Sequence, residues 1–392
     1  MKKVRNWQKV EFGDCAELVN GRAYGQTDLL ATGPYQVIRI QNLNGGSNWY
    51  YSDLELEQEK YCESGDLLFA WSATFGPYIW SGKRAIFHYH IWKVLTKPKL
   101  LDKDFAYFLL LRITAEIRAG AHGIAMLHFT KEGMEQYEVL IPSLPVQREI
   151  AARLKAQLAE VETARQAAQE QLRDIALLRS RVLNEMFCSI DGVQCKVLGD
   201  HASTTSGTTP PRGNKRYWEP AEIPWVKTGE VAFAPITQTE EAISKFALTE
   251  CSLTLLPPKT VLVAMYGQGK TRGQSAILEI AATANQACFA ILPNDTWEPE
   301  FLYYWLVANY QNLRDLSADR GGNQANLNGA LLKALGIPAP DRAQQAEIAG
   351  RIKAALKEVD ALDVSNKATL ANLDRLPQRL LSQAFNNVEA RP

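Results

Sequence analysis

The sequence predicts an α/β (α+β) protein of two tandem globular mixed α/β domains, each followed by a long helix, the two helices pairing as an antiparallel coiled coil with pseudo-twofold symmetry. Three observations predict it. Residues 147–187 recur as residues 345–385 at one fixed offset of 198. Both copies carry an apolar stripe at heptad spacing. The sequence ahead of each copy is divided into short runs rich in β-branched and aromatic residues, punctuated by Gly, Asn and Pro.

Bulk properties set the frame. At 392 residues the chain has room for two or three domains, each with its own core. Its 46% hydrophobic and 22% charged content is that of a globular protein. The 43 basic and 43 acidic residues cancel. That counts mildly against a nucleic-acid binder acting alone, but leaves room for a local basic face or a basic partner. MKKVRNWQKVEF lacks the apolar stretch of a signal peptide, and no run approaches the roughly 18 apolar residues of a membrane span, so a cytoplasmic protein without membrane contact is expected. Cys15, Cys62, Cys188, Cys195, Cys251 and Cys288 form no CxxC pair, so reduced, mostly buried thiols are expected rather than a zinc or redox motif.

The first globular domain is assigned to residues 1–143. Its strand candidates include YQVIRI, GDLLFAW and AIFHYHIWKVL, with a helix near Phe105–Arg118. His88 and His90 would share one face of a strand, but no third ligand accompanies them and no metal is expected. Loops between these runs carry Arg22, Arg39, Gln41, Asn42, Asn48, Lys83, Arg84 and His122.

The first long helix is assigned to 144–190. Pro145 suits its first turn, and no Gly or Pro interrupts 146–187. Val161, Ala168, Ile175 and Val182 recur every seven residues, with Ala164 and Leu178 between them. Some 42 residues at about 1.5 Å each give a rod of roughly 60 Å. So narrow a stripe needs a partner helix, and the second copy supplies one.

The second globular domain, 191–338, repeats the first faintly. KVLGD at 196–200 answers VEFGD at 10–14, KTVLVAM at 259–265 answers GDLLFAW at 65–71, and FLYYWLV at 301–307 answers FAYFLLL at 105–111, predicting a helix near Glu300–Asn312. Within it AMYGQGKT at 264–271 loosely matches a phosphate-binding P-loop. A P-loop needs a following helix whose N-terminus faces the phosphates, whereas TRGQSAILEI reads as another strand. What remains is a Gly-rich basic loop with Tyr266, Gln268, Lys270, Thr271, Arg272 and Gln274. TTSGTTPPRGNKRYW adds Thr208, Arg212, Lys215, Arg216 and Tyr217, and DRGGNQANLNG adds Arg320, Asn323, Gln324 and Asn326. Gln can bond bidentately to adenine, Arg and Lys to guanine or phosphate, and Gly lets backbone approach a groove wall.

The second long helix, 339–388, opens with Asp341 and Gln344 at capping-box spacing. Its stripe holds Val359, Asn366, Leu373 and Leu380, with Leu362 and Leu376. Asn366 either fixes register in the seam or is solvated. Pro377 removes one backbone donor and is expected to kink the rod near its end.

Two divergent domains, each followed by a matching helix that begins IPSLPVQREIAARL or IPAPDRAQQAEIAGRI, resemble the specificity (S) subunits of bacterial type I restriction-modification systems. SGTTPPRGNKRYWEPAEIPWVKTGEV and MYGQGKTRGQSAIL look like that family's target recognition domains. The resemblance covers essentially the whole chain, although the first domain lacks the TTP and GKTRG phrases. It implies a non-catalytic subunit in which each domain reads one half of a bipartite asymmetric site in double-stranded DNA. The helices would set the spacing and dock two methyltransferase (M) subunits, and restriction (R) subunits would join them. This chain would bind no cofactor, with S-adenosylmethionine, ATP and Mg²⁺ expected on those partners. The implied DNA-contacting residues are Arg22, Arg39, Asn42, Lys83, Arg84, Thr208, Arg212, Lys215, Arg216, Tyr217, Tyr266, Gln268, Lys270, Thr271, Arg272, Gln274, Arg320, Asn323 and Gln324. Arg153, Lys155 and Arg181 repeat as Arg351, Lys353 and Arg379 away from the seam, and are expected to bind the partner subunits. The alternative is a coiled-coil assembly scaffold whose globules bind proteins rather than DNA.

Overall fold

The computed structural model describes residues 7–72, 74–120, 130–188, 190, 192–267, 269–318 and 327–386. Residues 1–168 together with 369–392 form one compact unit, and residues 169–368 form the other. The unit limits therefore fall inside the long helices, Leu144–Cys188 and Arg342–Asn386.

In the first unit, strands Ala16–Asn20, Ile91–Thr96, Leu67–Ala70 and Gly76–Ile79 lie side by side in an antiparallel sheet. A second sheet orders Tyr50–Ser52, Tyr35–Ile38, Ala85–Phe87 and Tyr61–Cys62, with Tyr35–Ile38 parallel to Ala85–Phe87. Gln8–Glu11 pairs with Glu138–Ile141 ahead of the long helix. AIFHYHIWKVL is thus two strands in two sheets, joined by a turn at His88–His90. This corrects the expectation of one strand with both imidazoles on one face.

The second unit repeats the plan. One sheet orders Thr204–Ser206, Cys288–Ile291, Val261–Ala264, Ser275–Leu278 and Pro235–Ile236, and another Glu241–Ile243, Ile223–Val226 and Thr283–Ala284. Leu67–Ala70 and its counterpart Val261–Ala264 are buried at every residue. Central strands covered on both faces read as continuous apolar runs rather than alternation.

Lys103–Gly120 is one helix, but its counterpart is two, Pro299–Ala308 and Tyr310–Ala318. At the C-cap Asn309 the backbone N and the side-chain amide both donate to the Trp305 carbonyl, at 3.0 and 2.9 Å, and the first helix ends there where a single one was expected.

Each core is completed by both long helices. In the first unit Phe12, Phe69, Trp92 and Phe105 cluster with Ile150 and Leu154 from the start of one helix and Ala384 and Phe385 from the end of the other. In the second unit Val261, Phe289, Trp297 and Phe301 cluster with Ile348 and Ile352 from a helix start and Leu183 from a helix end. Start packed against end is the antiparallel arrangement the apolar stripe predicts. Val161, Ala168, Val359 and Asn366 are buried, so Asn366 belongs to the seam and is not a solvated residue. Leu178 and Leu362 are 41% and 52% exposed, and Ala164 is also exposed, correcting their assignment beside the seam. Two helices in contact cover only a narrow stripe, and these side chains fall outside it. The Asp341 carboxylate accepts from Gln344 N at 2.8 Å as the N-cap, and the second helix runs through Pro377 to Asn386.

The six cysteines form no disulfide. Cys15, Cys62 and Cys288 are buried, whereas Cys188 and Cys195 are exposed. Among the described residues no helix is long and apolar enough to cross a membrane.

Candidate nucleic-acid interface

In the second unit, residues 265–274 connect two antiparallel strands, Val261–Ala264 and Ser275–Leu278. Gly267, Gly269 and Gly273 take φ of 137°, 67° and 86°, conformations that a side chain disfavours. The segment is therefore a hairpin loop with no helix behind it, and the P-loop geometry is absent. Its backbone is clamped from one side: the Tyr310 hydroxyl donates to the Lys270 carbonyl at 2.6 Å, and an Arg314 Nη donates to the Arg272 carbonyl at 3.1 Å. The clamp holds the main chain while leaving Lys270 and Tyr266 exposed. Thr271, Arg272 and Gln274 are half-buried along the same loop. Gln268, and also Arg320, Asn323 and Gln324, lie outside the described residues, as does His122.

The 208–217 segment is more internally committed than its composition suggested. Arg212 is ion-paired to Glu241 and lies 4.0 Å from the ring centre of Trp218. That guanidinium holds the Glu241 carboxyl below the usual carboxylate range. Tyr217 is half-buried, stacks on Phe246 at 5.6 Å and packs against a small core of Trp225, Ile243 and Ala247. Arg216 sits over the Phe246 ring at 4.1 Å, while Lys215 is exposed. Thr208 is half-buried, and its carbonyl accepts from Trp225 Nε1 at 3.0 Å. Lys227 is bonded to Glu240 and lies 3.3 Å from a Glu241 oxygen.

In the first unit, Arg22 is exposed beside the His88–His90 turn, and Arg39 lies 5.4 Å from the Tyr50 ring centre. Asn42 is 8% exposed and uses its amide locally, accepting from Arg39 N at 3.0 Å and donating to the Asn48 carbonyl at 2.9 Å. Asn42 therefore shapes its own loop. Arg84 lies over Tyr61 at 4.2 Å and bonds Gln58 at 2.9 Å, whereas the neighbouring Lys83 is exposed. Trp71 stacks on core Trp92 at 5.8 Å. Burial, with His90 and the Arg39 charge adding to it, pushes the His88 imidazole down to about 4, so both ring nitrogens cannot be protonated near neutral pH. No group of three or more His, Cys, Asp or Glu side chains poised for a metal occurs among the described residues.

On the helices Arg153, Lys155, Arg181, Arg351, Lys353 and Arg379 are all exposed. Lys353 pairs with Glu300 at 3.0 Å, and Arg351 approaches Glu347 at 4.0 Å.

A family model described as the type I restriction modification DNA specificity domain matches residues 4–171 and again 191–370. The chain is 21% identical over 414 aligned residues to the EcoBI type I restriction enzyme specificity subunit of Escherichia coli, covering 97% of this chain and 85% of that one. It is 29% identical over 199 residues to the MjaIX specificity subunit of Methanocaldococcus jannaschii, covering 50% and 44%. It is 22% identical over 189 residues to the EcoR124I/EcoR124II specificity subunit of Escherichia coli, covering 48% and 44%. The chain thus spans less than half the length of these last two relatives. Among solved structures, the HsdS subunit from Thermoanaerobacter tengcongensis superposes with a TM-score of 0.65 at 20% identity, covering 97% of each chain. A chain from a structure on complex assembly and conformational transition of the type I R-M system gives 0.72 at 19%, again over 97% of each. At these identities the likeness is one of fold.

Proposed function

The chain belongs to the family of type I restriction modification DNA specificity domains, carried here in two copies, and on that premise we propose that it is the sequence-reading subunit of a methylation and restriction complex. Each unit reads one half of a bipartite, asymmetric site in double-stranded DNA. The observation that carries this reading is one scaffold used twice with different loops: the sheet plans correspond, while the exposed side chains along them do not. A shared scaffold with divergent loops suits two half-sites of different sequence, because loops carry base contacts while the sheets only position them.

Lys270, Tyr266 and Lys215 of the second unit, and Arg22, Arg39 and Lys83 of the first, are the described residues best placed for this role. Gln268, Arg320, Asn323 and Gln324 remain in the proposal from sequence. The exposed charges Arg153, Lys155, Arg181, Arg351, Lys353 and Arg379 would meet two M subunits, whose own basic surface would make a net charge of +0 tolerable. Chemistry would reside on the M and R partners, together with S-adenosylmethionine, ATP and Mg²⁺.

Co-expression with the cognate methyltransferase in a methylation-free host, followed by mapping of modified bases, tests the reading. A split motif with a fixed gap is expected. A stable complex with an active methyltransferase and no sequence-dependent modification would favour an assembly scaffold instead.

A further inference from the structure

Two turns occupy the same place in the two units. His88–His90 joins the two sheets of the first unit, and residues 285–287 join those of the second. Five backbone hydrogen bonds recur around them. Gly21 N donates to the Ile91 carbonyl as Gly207 N donates to that of Cys288, and Arg22 N donates to Phe87 as Thr208 N donates to Ala284. His88 N donates to Ile38 as Asn285 N donates to Val226, and Ile91 N donates to His88 as Cys288 N donates to Asn285. The fifth, at the tip, runs from Trp71 N to His90 at 3.1 Å and from Met265 N to Ala287 at 2.8 Å.

The crossing is close enough to demand glycine. A Cβ on Gly21 would lie 2.3 Å from the His88 carbonyl oxygen, and one on Gly207 would lie 1.9 Å from that of Ala284. Each turn is therefore pinned on several sides by main chain, and its side chains are free to differ. They do differ: Tyr89 and Gln286, equivalent by these bonds, are both exposed at the apex. The Tyr89 carbonyl accepts from Trp71 Nε1 at 2.9 Å and Tyr89 N donates to the Arg22 carbonyl at 2.9 Å, so its backbone cannot swing away. In the second unit the Gln286 side chain bonds the Thr209 hydroxyl, and the Asn285 amide oxygen accepts from Thr228 at 2.9 Å and from Ala287 N at 3.1 Å. The flanking side chains alternate in the same way: Arg22 against Thr208, Arg39 against Lys227, His88 against Asn285.

We propose that Tyr89 and Gln286 are equivalent specificity-determining positions, each reading a base in its own half-site from a turn whose backbone is fixed before DNA arrives. This rests on the DNA-reading function proposed above. A fixed platform loses little freedom on binding, so discrimination comes from the side chain alone. Gln286 presents an exposed amide that can exchange its bond from Thr209 for an adenine edge, and Tyr89 presents the exposed part of a ring packed against His88, His90 and Trp71, together with its hydroxyl.

The test compares wild type, Tyr89→Ala and Gln286→Ala in complex with the methyltransferase, by mapping modified bases across a genome. Gln286→Asn and Tyr89→Phe serve as milder variants should either alanine variant fail to assemble. The wild type should give a split motif. Tyr89→Ala should relax preference by about tenfold at one or two positions of one half only, and Gln286→Ala likewise in the other half only. Unchanged preferences in assembled variants, or both variants affecting the same half, would overturn the assignment while leaving the general function intact. A wild-type complex that modifies DNA without a split motif would overturn both.

Discussion

The side-chain amide of Gln147 donates to the carbonyl of Leu100 at 2.9 Å, and through that bond the first long helix is fixed to the globular fold ahead of it. The same side chain donates to Pro142 and accepts from Asp102 N, so a fully buried amide is completely paired. Gln345 does the same in the second unit, donating to Thr296 and Pro340 and accepting from Glu298 N. A residue that looked like one more identity in a repeated helix is thus the joint between helix and domain.

Gln147→Leu keeps the bulk and removes every bond. A buried group left unpaired costs about 1–3 kcal/mol. Of the three bonds lost only the one to Pro142 is fully buried, while the other two partners can reach water. A loss of roughly 2–4 kcal/mol is therefore expected from chemical denaturation, and the same for Gln345→Leu, whose bond to Pro340 is the buried one. An unchanged midpoint would mean that water takes over these partners.

Phe187 and Phe385 are also identical partners in the repeat, yet they should not respond alike. Phe385 is fully buried, with its ring centre 5.5 Å from Phe105 and 6.2 Å from Trp7. Phe187 is half-buried, 5.5 Å from Phe301. Phe385→Ala should cost about 3–5 kcal/mol and Phe187→Ala clearly less, measured by urea unfolding of each variant. Ending the chain before Thr369 should likewise destabilise the first unit, since Phe385 completes its core.

The helices and the tandem plan were legible because their signals are periodic and long-range: a heptad stripe, one fixed offset, and Gly- and Pro-free stretches. The loss of Leu178 and Leu362 from the seam was not legible, since a stripe does not state how wide its partner contact is. Central strands such as Val261–Ala264 announced themselves by unbroken apolar runs. The turn at His88–His90 did not, because it is flanked by strands in different sheets with no Gly or Pro to mark it. At the candidate interface, composition identified the loops but not the pairing within them. Arg212, Tyr217 and Asn42 have partners inside their own unit that are distant in sequence or hidden by loop geometry.

Lys270 offers a direct electrostatic prediction. Its ammonium is exposed on a loop whose backbone is clamped by Tyr310. Lys270→Ala in the assembled complex should weaken binding to all duplexes alike and reduce the slope of log affinity against log salt by about 0.9. Loss confined to the preferred sequence would make Lys270 a base reader instead.

His88 gives the pH prediction. Its imidazole is held at about 4, below the ordinary 6.5, by burial first and then by His90 and Arg39. As pH falls through 6.5 the unfolded chain takes up a proton that the folded chain refuses, so this contribution is full above pH 6.5 and is lost toward pH 4. Wild type should therefore lose more stability over that window than His88→Asn, which carries the residue found at the equivalent position 285. Parallel stability curves for the two proteins would place His88 in water.

The central claim is that each unit reads its own half-site, and exchanging residues 1–143 for the corresponding segment of another family member tests it most directly. Methylated bases mapped in a methylation-free host should show one half of the motif replaced and the other half unchanged. Changes spread over both halves, or a motif indifferent to the exchange in an assembled and active complex, would contradict the account.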